Sequence, residues 1–355
     1  MQHLDGVSQI EAKQNTLLQN LERIGKVSPE TIWAPLTGPS WGYRRKARLS
    51  VRYVHKKGKV LVGFRERYGR FVADMQECHV LDPRIAERLS DLSSLIYSME
   101  ARRTIPQLEV ACGDNKCALV FRHLEPLSEP DLERLRSFAR DSNIAVLLQP
   151  KGPDSITCLE PESVELSFRI PEFGIEMFFE PSDFVQVNAA MNQAMISRVI
   201  ELLDPMPDDR ILDLFCGLGN FTLPIAGLAA EVVGIEGEQA LVKRAEFNAA
   251  RNHLENACFH AADLNEDAAA APWLSKPYDK VLVDPPRSGA EFILPHIAAS
   301  GAGRVVYVSC HPASLARDAG ILVRQFGFRL VGAGVMDMFP HTGHVESIAL
   351  FERKV

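Results

Sequence analysis

Apolar residues recur at Ile10, Leu17, Leu18, Leu21 and Ile24 among polar neighbours. This spacing predicts an amphipathic helix over 8–24, ending at Gly25 and needing a partner for its apolar stripe. Residues 47–54 and 59–64 alternate with period two instead, and Lys57-Gly58 supplies a turn between them, so a hairpin is expected. A helix over 81–99 follows, then a second hairpin from 107–111 and 117–121 around Gly113, Asp114 and Asn115. A helix over 131–141 and short strands at 144–148, 155–159 and 164–170 complete a stretch in which strands and helices do not alternate regularly. Residues 40–180 therefore read as an α+β unit.

From Asn188 the pattern changes. A helix to Leu203, a strand at 210–214, a glycine-rich turn, a helix over 221–229, a strand at 231–235 and a helix over 238–252 alternate strictly. Further strands are expected at 280–283, 304–308, near 328–335 and at 346–351. This is the signature of an α/β domain with a doubly wound sheet that binds its ligand at the strand C-termini. Three parts are expected: an N-terminal helical segment 1–39, a central α+β domain 40–180 and a C-terminal domain 181–355.

With 355 residues and 46% apolar side chains, the chain can bury the cores of two domains. No run of eighteen apolar residues occurs and the first twenty residues are polar, so neither a membrane span nor a secretory signal is expected, and the expected address is cytoplasmic. Seven cysteines, an odd number, argue against a disulfide framework.

The net charge of −7 excludes a uniformly basic surface, yet residues 43–70 hold eleven Lys and Arg against one acid, Glu66. Tyr43, Tyr53, Phe64, Tyr68 and Phe71 are interleaved with them, which suits phosphate contact combined with base stacking. Arg44, Arg45, Lys46 and Arg48 are candidate RNA-binding residues of this segment, and Arg287 further along the chain is a fifth. The bland alternative is a solvated hairpin whose charges keep it soluble.

In Ile211-Leu-Asp-Leu-Phe-Cys-Gly-Leu-Gly-Asn220, glycines follow directly on a buried strand, where a missing Cβ lets backbone approach a ligand. Asp213 at the strand end suits a cationic amino-acid tail rather than a pyrophosphate. Glu236 closes the next strand and is placed for a ribose diol, and Asp263 after the third strand is placed near an adenine. This spacing is that of class I (Rossmann-like) methyltransferases and implies S-adenosyl-L-methionine, with Phe215, Gly217 and Asn220 lining the turn. Cys216 reads as a packed small residue.

Three later segments carry polar groups that a core does not need: Asp284-Pro-Pro-Arg-Ser-Gly289, Ser309-Cys-His-Pro312, and the stretch from Met338 to Glu346. Carbon 5 of uracil is too weak a nucleophile to attack a sulfonium methyl unaided. A thiolate must first add to carbon 6, carbon 5 then takes the methyl, a base removes the carbon-5 proton, and elimination frees the thiol. Cys310 fits the nucleophile and Glu346 the base, while Asp284 and Arg287 fit the groups that hold the pyrimidine and its oxyanion. His341 and His344 lack the helical spacing of a zinc site with Glu346, so no metal is expected.

At these residues the sequence resembles the RNA uracil-5 methyltransferase family. The resemblance runs through Gln2-His3, 41–50, Phe184-Val-Gln-Val-Asn188, 212–224, 284–289, 306–318 and 337–346. It implies Cys310 as nucleophile, Glu346 as base, and cofactor contacts at Gln186, Phe215, Asn220, Glu236, Asp263 and Asp284. His311 departs from the asparagine common after the nucleophile, and Pro286 from an alanine of some relatives.

Within the family the chain is most similar to the enzymes of 23S ribosomal RNA, which begin with an RNA-binding TRAM barrel and a cysteine run holding, with a later cysteine, a 4Fe-4S cluster. Cys78 matches that later ligand without three partners, so an N-terminally shortened chain is expected and a cluster is not. A monomer is expected, and because a stacked uracil hides carbon 6 from a thiolate, the target is expected to be a looped or flipped-out uridine. Two alternatives stay open: the same reaction on transfer RNA or at another ribosomal uridine, and an RNA-binding remnant without activity.

Overall fold

Ile211, Leu212 and Leu214, Val232, Val233 and Ile235, Val281, Leu282 and Val283, and the run from Val305 to Val308 are at most 2% exposed. Strands covered on both faces need such near-continuous apolar runs. They form Arg210–Leu214, Glu231–Glu236, Lys280–Val283 and Arg304–Ser309, which pair in parallel, with Ala257–Ala261 parallel at one edge. Glu346–Arg353 is reversed between Arg304–Ser309 and Phe328–Met336, and Thr31–Ile32 pairs in parallel with the latter to close an eight-stranded sheet. The expected α/β architecture is present.

The computed structural model describes residues 1, 3–66, 69, 71–264 and 271–354. Arg67, Tyr68 and Arg70 of the basic segment, and Gln2, lie outside the described residues. The chain divides into two compact units: Met1–Gly38 with Ile170–Met177 and Ala190–Val355, and Pro39–Arg169 with Phe178–Ala189.

The N-terminal residues set apart by the hydrophobic pattern thus share a unit with the eight-stranded sheet. Helix Gly6–Asn20 packs on helix Pro312–Arg324 and on strand Phe328–Met336. Its buried face is Gln9, Lys13 and Leu17, whereas Ile24 of the expected stripe is 46% exposed. The widened π turn Leu21–Gly25 swings the end of the helix out of register with that stripe. Gly25 is required by contact: a Cβ there would stand 2.4 Å from the Ala316 carbonyl oxygen, and one on Gly320 would stand 2.6 Å from that of Gly25. The two segments touch backbone to backbone.

In the second unit six strands run in the order Lys59–Gly63, Lys46–Val54, Gln107–Cys112, Cys117–Arg122, Ala145–Gln149, Thr157–Glu160. One helix over 81–99 gives way to two, Pro83–Ala86 and Leu89–Ser98, because Asp82 caps the first and Arg88 leaves helical geometry before the second. Strand Ile175–Phe179, of which Ile175–Met177 belong to the first unit, follows a 3-10 turn and has no counterpart in the sequence pattern. One disulfide corrects the expectation from cysteine count: register sets Cys112 opposite Cys117 across the second hairpin, and the two are bonded.

Candidate active site

Parallel strands deliver their C-terminal ends to one edge of the sheet, and the reversed strand Glu346–Arg353 begins at that same edge. Ser309 pairs with Ser347 as the last rung of the ladder, so Cys310 and Glu346 are the residues that flank that rung, and the Glu346 carboxylate acts on the Cys310 thiol. Asp284 enters beside them, following Val283, which pairs with Tyr307 of the Cys310 strand. The three residues expected to carry the chemistry are thus gathered by strand register alone.

All three are partly buried and electrostatically uncomfortable. Burial pushes the Asp284 carboxyl up to about 7. Burial, then the nearby Asp284 carboxylate, pushes Glu346 up to about 8, against the opposing charges of Arg287 and Lys13. The Cys310 thiol is raised by burial and then by Glu346 and Asp284, with Arg287 opposing. Arg287 is exposed and lies 3.1 Å from His344 Nδ1.

Helix Pro312–Arg324 fixes the loop after Asp284. Ser314 Oγ donates to the Arg287 carbonyl (2.6 Å), Arg317 to that of Ser288 (2.8 Å), and Ala290 N–H to Asp318 Oδ2 (2.7 Å), which also accepts from Tyr307 OH (2.6 Å). Asp318 is fully buried. His311 caps the same helix by accepting from the Ser314 amide. The sequence pattern did not single out Ser314, Asp318 or Lys13, which hold the loops around these residues. Lys13 carried a signal, a cation four residues before Leu17 on the packed helix face.

The glycine turn has the form of a cradle for a cation-bearing ligand. Asp213 is 0% exposed and pushed up to about 7, by burial first and also by Asp284 and Glu236. Thr222 Oγ1 donates to its Oδ2 at 2.5 Å, while its buried Oδ1 has no hydrogen-bond partner. Phe215 and Gly217 both sit at positive φ, 65° and 56°, and a Cβ on Gly217 would enter open space. Glu236 accepts from the amides of Gly217 and Glu238, each at 3.0 Å.

Asn220 exchanges two 2.9 Å amide hydrogen bonds with Asn192. Asp263 is exposed after strand Ala257–Ala261, and Gln186 is half-buried in the other unit. Cys216 is 3% exposed and its thiol is raised well above its ordinary value by burial, as a packed residue should be. An orphaned buried oxygen, three mutually repelling carboxyl groups and an empty-sided glycine turn all fit the positively charged S-adenosyl-L-methionine.

In the second unit the basic hairpin is more neutralised than its sequence suggests. Arg45 pairs with Asp114, Arg48 with Glu109 (3.0 Å), and Lys57 and Lys59 with Asp74 (3.4 and 2.6 Å). Lys46 donates to the Asp183 carbonyl, and burial pulls its amine down to about 8. Arg44 lies 5.9 Å from the Phe64 ring centroid. Of the four expected RNA contacts, Arg48 alone has a mostly exposed side chain, at 71%. Tyr43 is buried, whereas Phe71 and Phe184 are exposed.

Cys78 is buried in this unit. Among the described residues, the one close group of three metal-capable side chains is Asp82, Cys112 and Cys117, whose two sulfurs are bonded to each other. Among the described residues, no such group of three includes Cys78.

The sequence profile of the tRNA (uracil-5-)-methyltransferase family matches residues 8–271 and 273–354. A protein of Xanthomonas axonopodis pv. citri named 23S rRNA (uracil(1939)-C(5))-methyltransferase RlmD is 55% identical over 354 residues, covering 100% of this chain and 80% of that protein. A protein of the same name from Alkalilimnicola ehrlichii is 53% identical over 355 residues with the same coverage. Among solved structures, the Pyrococcus abyssi tRNA (uracil-54, C5)-methyltransferase in complex with S-adenosyl-L-homocysteine matches with a TM-score of 0.74 and 24% identity, over 99% of this chain and 84% of that one. That likeness is one of fold. The profile and the full-length relatives together identify the chain as a member of the tRNA (uracil-5-)-methyltransferase family.

Proposed function

We propose that this protein methylates carbon 5 of a uridine in 23S ribosomal RNA, the reaction named for its relatives, as a cytoplasmic monomer using S-adenosyl-L-methionine. The observation that supports the reading is that Cys310 and Glu346 flank the Ser309–Ser347 rung at the strand ends, with Asp284 following the neighbouring strand. A packing cysteine has no need of two carboxylates at its side.

Cys310 Sγ, as thiolate, adds to carbon 6 of the uracil, and the ring electrons move toward carbon 5 and the carbon-4 oxygen, where Arg287 offers positive charge. When bound, S-adenosyl-L-methionine supplies the electrophilic methyl that carbon 5 takes up, and Asp213, Glu236 and Asp284 are the residues placed to hold it. Glu346, as carboxylate, then removes the carbon-5 proton; the electrons re-form the 5,6 double bond and expel Cys310. A stacked uracil hides carbon 6, so the target is a loop or extruded nucleotide. The exposed Arg48, Phe71 and Phe184 suit contact with phosphates and bases of that RNA. The chain's own cysteines hold no cluster on this reading.

RNA containing 5-fluorouridine at the target tests it. Fluorine cannot leave as a proton does, so the protein with cofactor should form a stable covalent adduct, and Cys310→Ala should abolish it. No adduct from the unmutated protein would overturn the mechanism. Mass spectrometry of RNA from a deletion strain tests the substrate: 5-methyluridine should vanish from one site of 23S RNA, and its loss from transfer RNA alone would overturn the ribosomal assignment.

A further inference from the structure

Helix Gly6–Asn20 presents Gln9 and Lys13 on its buried face, at 2% exposure each, where packing alone would place apolar residues. Lys13 Nζ donates to Asp337 Oδ1 at 2.7 Å and to the Phe339 carbonyl at 2.9 Å. Gln9 Oε1 accepts from the His341 amide at 2.9 Å. Each contact falls on the turn that joins strand Phe328–Met336 to strand Glu346–Arg353, whose first residue is Glu346. A buried ammonium is costly unless fully paired, and this one is anchored at two points on one short turn.

We propose that Lys13 is a positioning residue for Glu346: it clamps the turn 337–345 from the N-terminal helix, so that the carboxylate stands opposite Cys310 when the carbon-5 proton must be removed. The inference rests on the reading of Glu346 as the base. Glu346 faces Asp284, Arg287, Lys13 and the Cys310 thiol, and Lys13 is one of the two cations that oppose its raised affinity for protons. Lys13 therefore acts twice, through the turn and through its charge.

The base is needed late and the thiol early, which separates positioning from general damage. In Lys13→Met, kcat on uridine RNA should fall about 10- to 100-fold with KM within about twofold of the unmutated value. Covalent adduct should accumulate on ordinary uridine, while adduct with 5-fluorouridine RNA forms at the unmutated rate. The acid limb of the kcat profile should move to higher pH.

Lys13→Met leaves Asp337 buried and unpaired, so the double variant Lys13→Met with Asp337→Leu serves as the folding control. It should regain thermal stability yet keep the low kcat and the trapped adduct. Recovery of kcat in the double variant would overturn the proposal, as would parallel loss of 5-fluorouridine adduct in a stably folded variant, or an unshifted pH limb. If the unmutated protein forms no 5-fluorouridine adduct, the reading of the site fails instead.

Discussion

Asp213, Asp284 and Glu346 stand in the first unit with carboxyl groups pushed up to about 7, 7 and 8, and Asp213 keeps an oxygen that nothing in the protein satisfies. The bases of the second unit's hairpin have instead found acids of their own: Asp74, Glu109 and Asp114 neutralise Lys57, Lys59, Arg48 and Arg45. Both regions looked charged in sequence. Only one holds charge that the fold itself has left unanswered, and unanswered buried charge is the better mark of a ligand site. Charge counted along a segment overstates what a ligand can meet, because the neutralising partners arrive from elsewhere in the fold.

The comparison breaks first at Asp213. Asp213→Asn should weaken S-adenosyl-L-methionine binding about 100-fold, because a charge partner buried in the site is lost. The same change should stabilise the free protein by about 1–2 kcal/mol, as relief of a strained site does. Calorimetric titration and thermal melts read the two effects, and a variant that binds normally would remove Asp213 from the cofactor site.

A second test uses pH. Acids raised in the folded state hold protons that the unfolded chain has released, so stability is greatest below the ordinary carboxyl range and declines as pH rises through about 7 to 8. The melting temperature of the ligand-free protein should therefore fall between pH 5 and pH 8. The cationic cofactor should raise it more at pH 8 than at pH 5. A melting temperature that climbs over this interval would refute the assignment of unanswered acids.

The smallest effects belong to the hairpin. Arg48→Ala should weaken RNA binding about threefold and lower the salt slope by less than about one. Arg45→Ala should leave RNA affinity unchanged and cost up to about 1 kcal/mol of stability, as a half-exposed ion pair does. Filter binding across a salt series with each variant reads both, and a large RNA defect in Arg45→Ala would reverse the ranking.

The legible parts of this molecule were those written in local pattern. Parallel strands announce themselves by runs such as Val281-Leu-Val283; the candidates Asp213, Asp284 and Cys310 lie at the ends of such runs, and Glu346 opens the last strand. Long-range complementarity was not legible. Nothing near Lys13 in sequence says that its partner is Asp337, and nothing near Arg45 says Asp114. The single helix drawn over 81–99 failed for a related reason: apolar spacing continued through Arg88, whereas backbone geometry did not. The end of the first helix misled because a π turn shifts every later residue around the axis.

The pairing of Thr31 with Gly332 has a consequence for biosynthesis. A ribosome adding about 5–20 residues per second needs roughly 15–60 s to make the intervening chain. Throughout that time the N-terminal helix has been synthesised while the helix and the strand Phe328–Met336 it packs on do not yet exist. The six-stranded unit, whose sheet is built from residues 46 to 160, is complete well before then and can fold while translation continues. Closure of the eight-stranded sheet, with the seating of Lys13 on Asp337, waits for strand Glu346–Arg353 to leave the exit tunnel. Premature termination near residue 330 would thus yield a folded six-stranded unit attached to an exposed, aggregation-prone sheet edge.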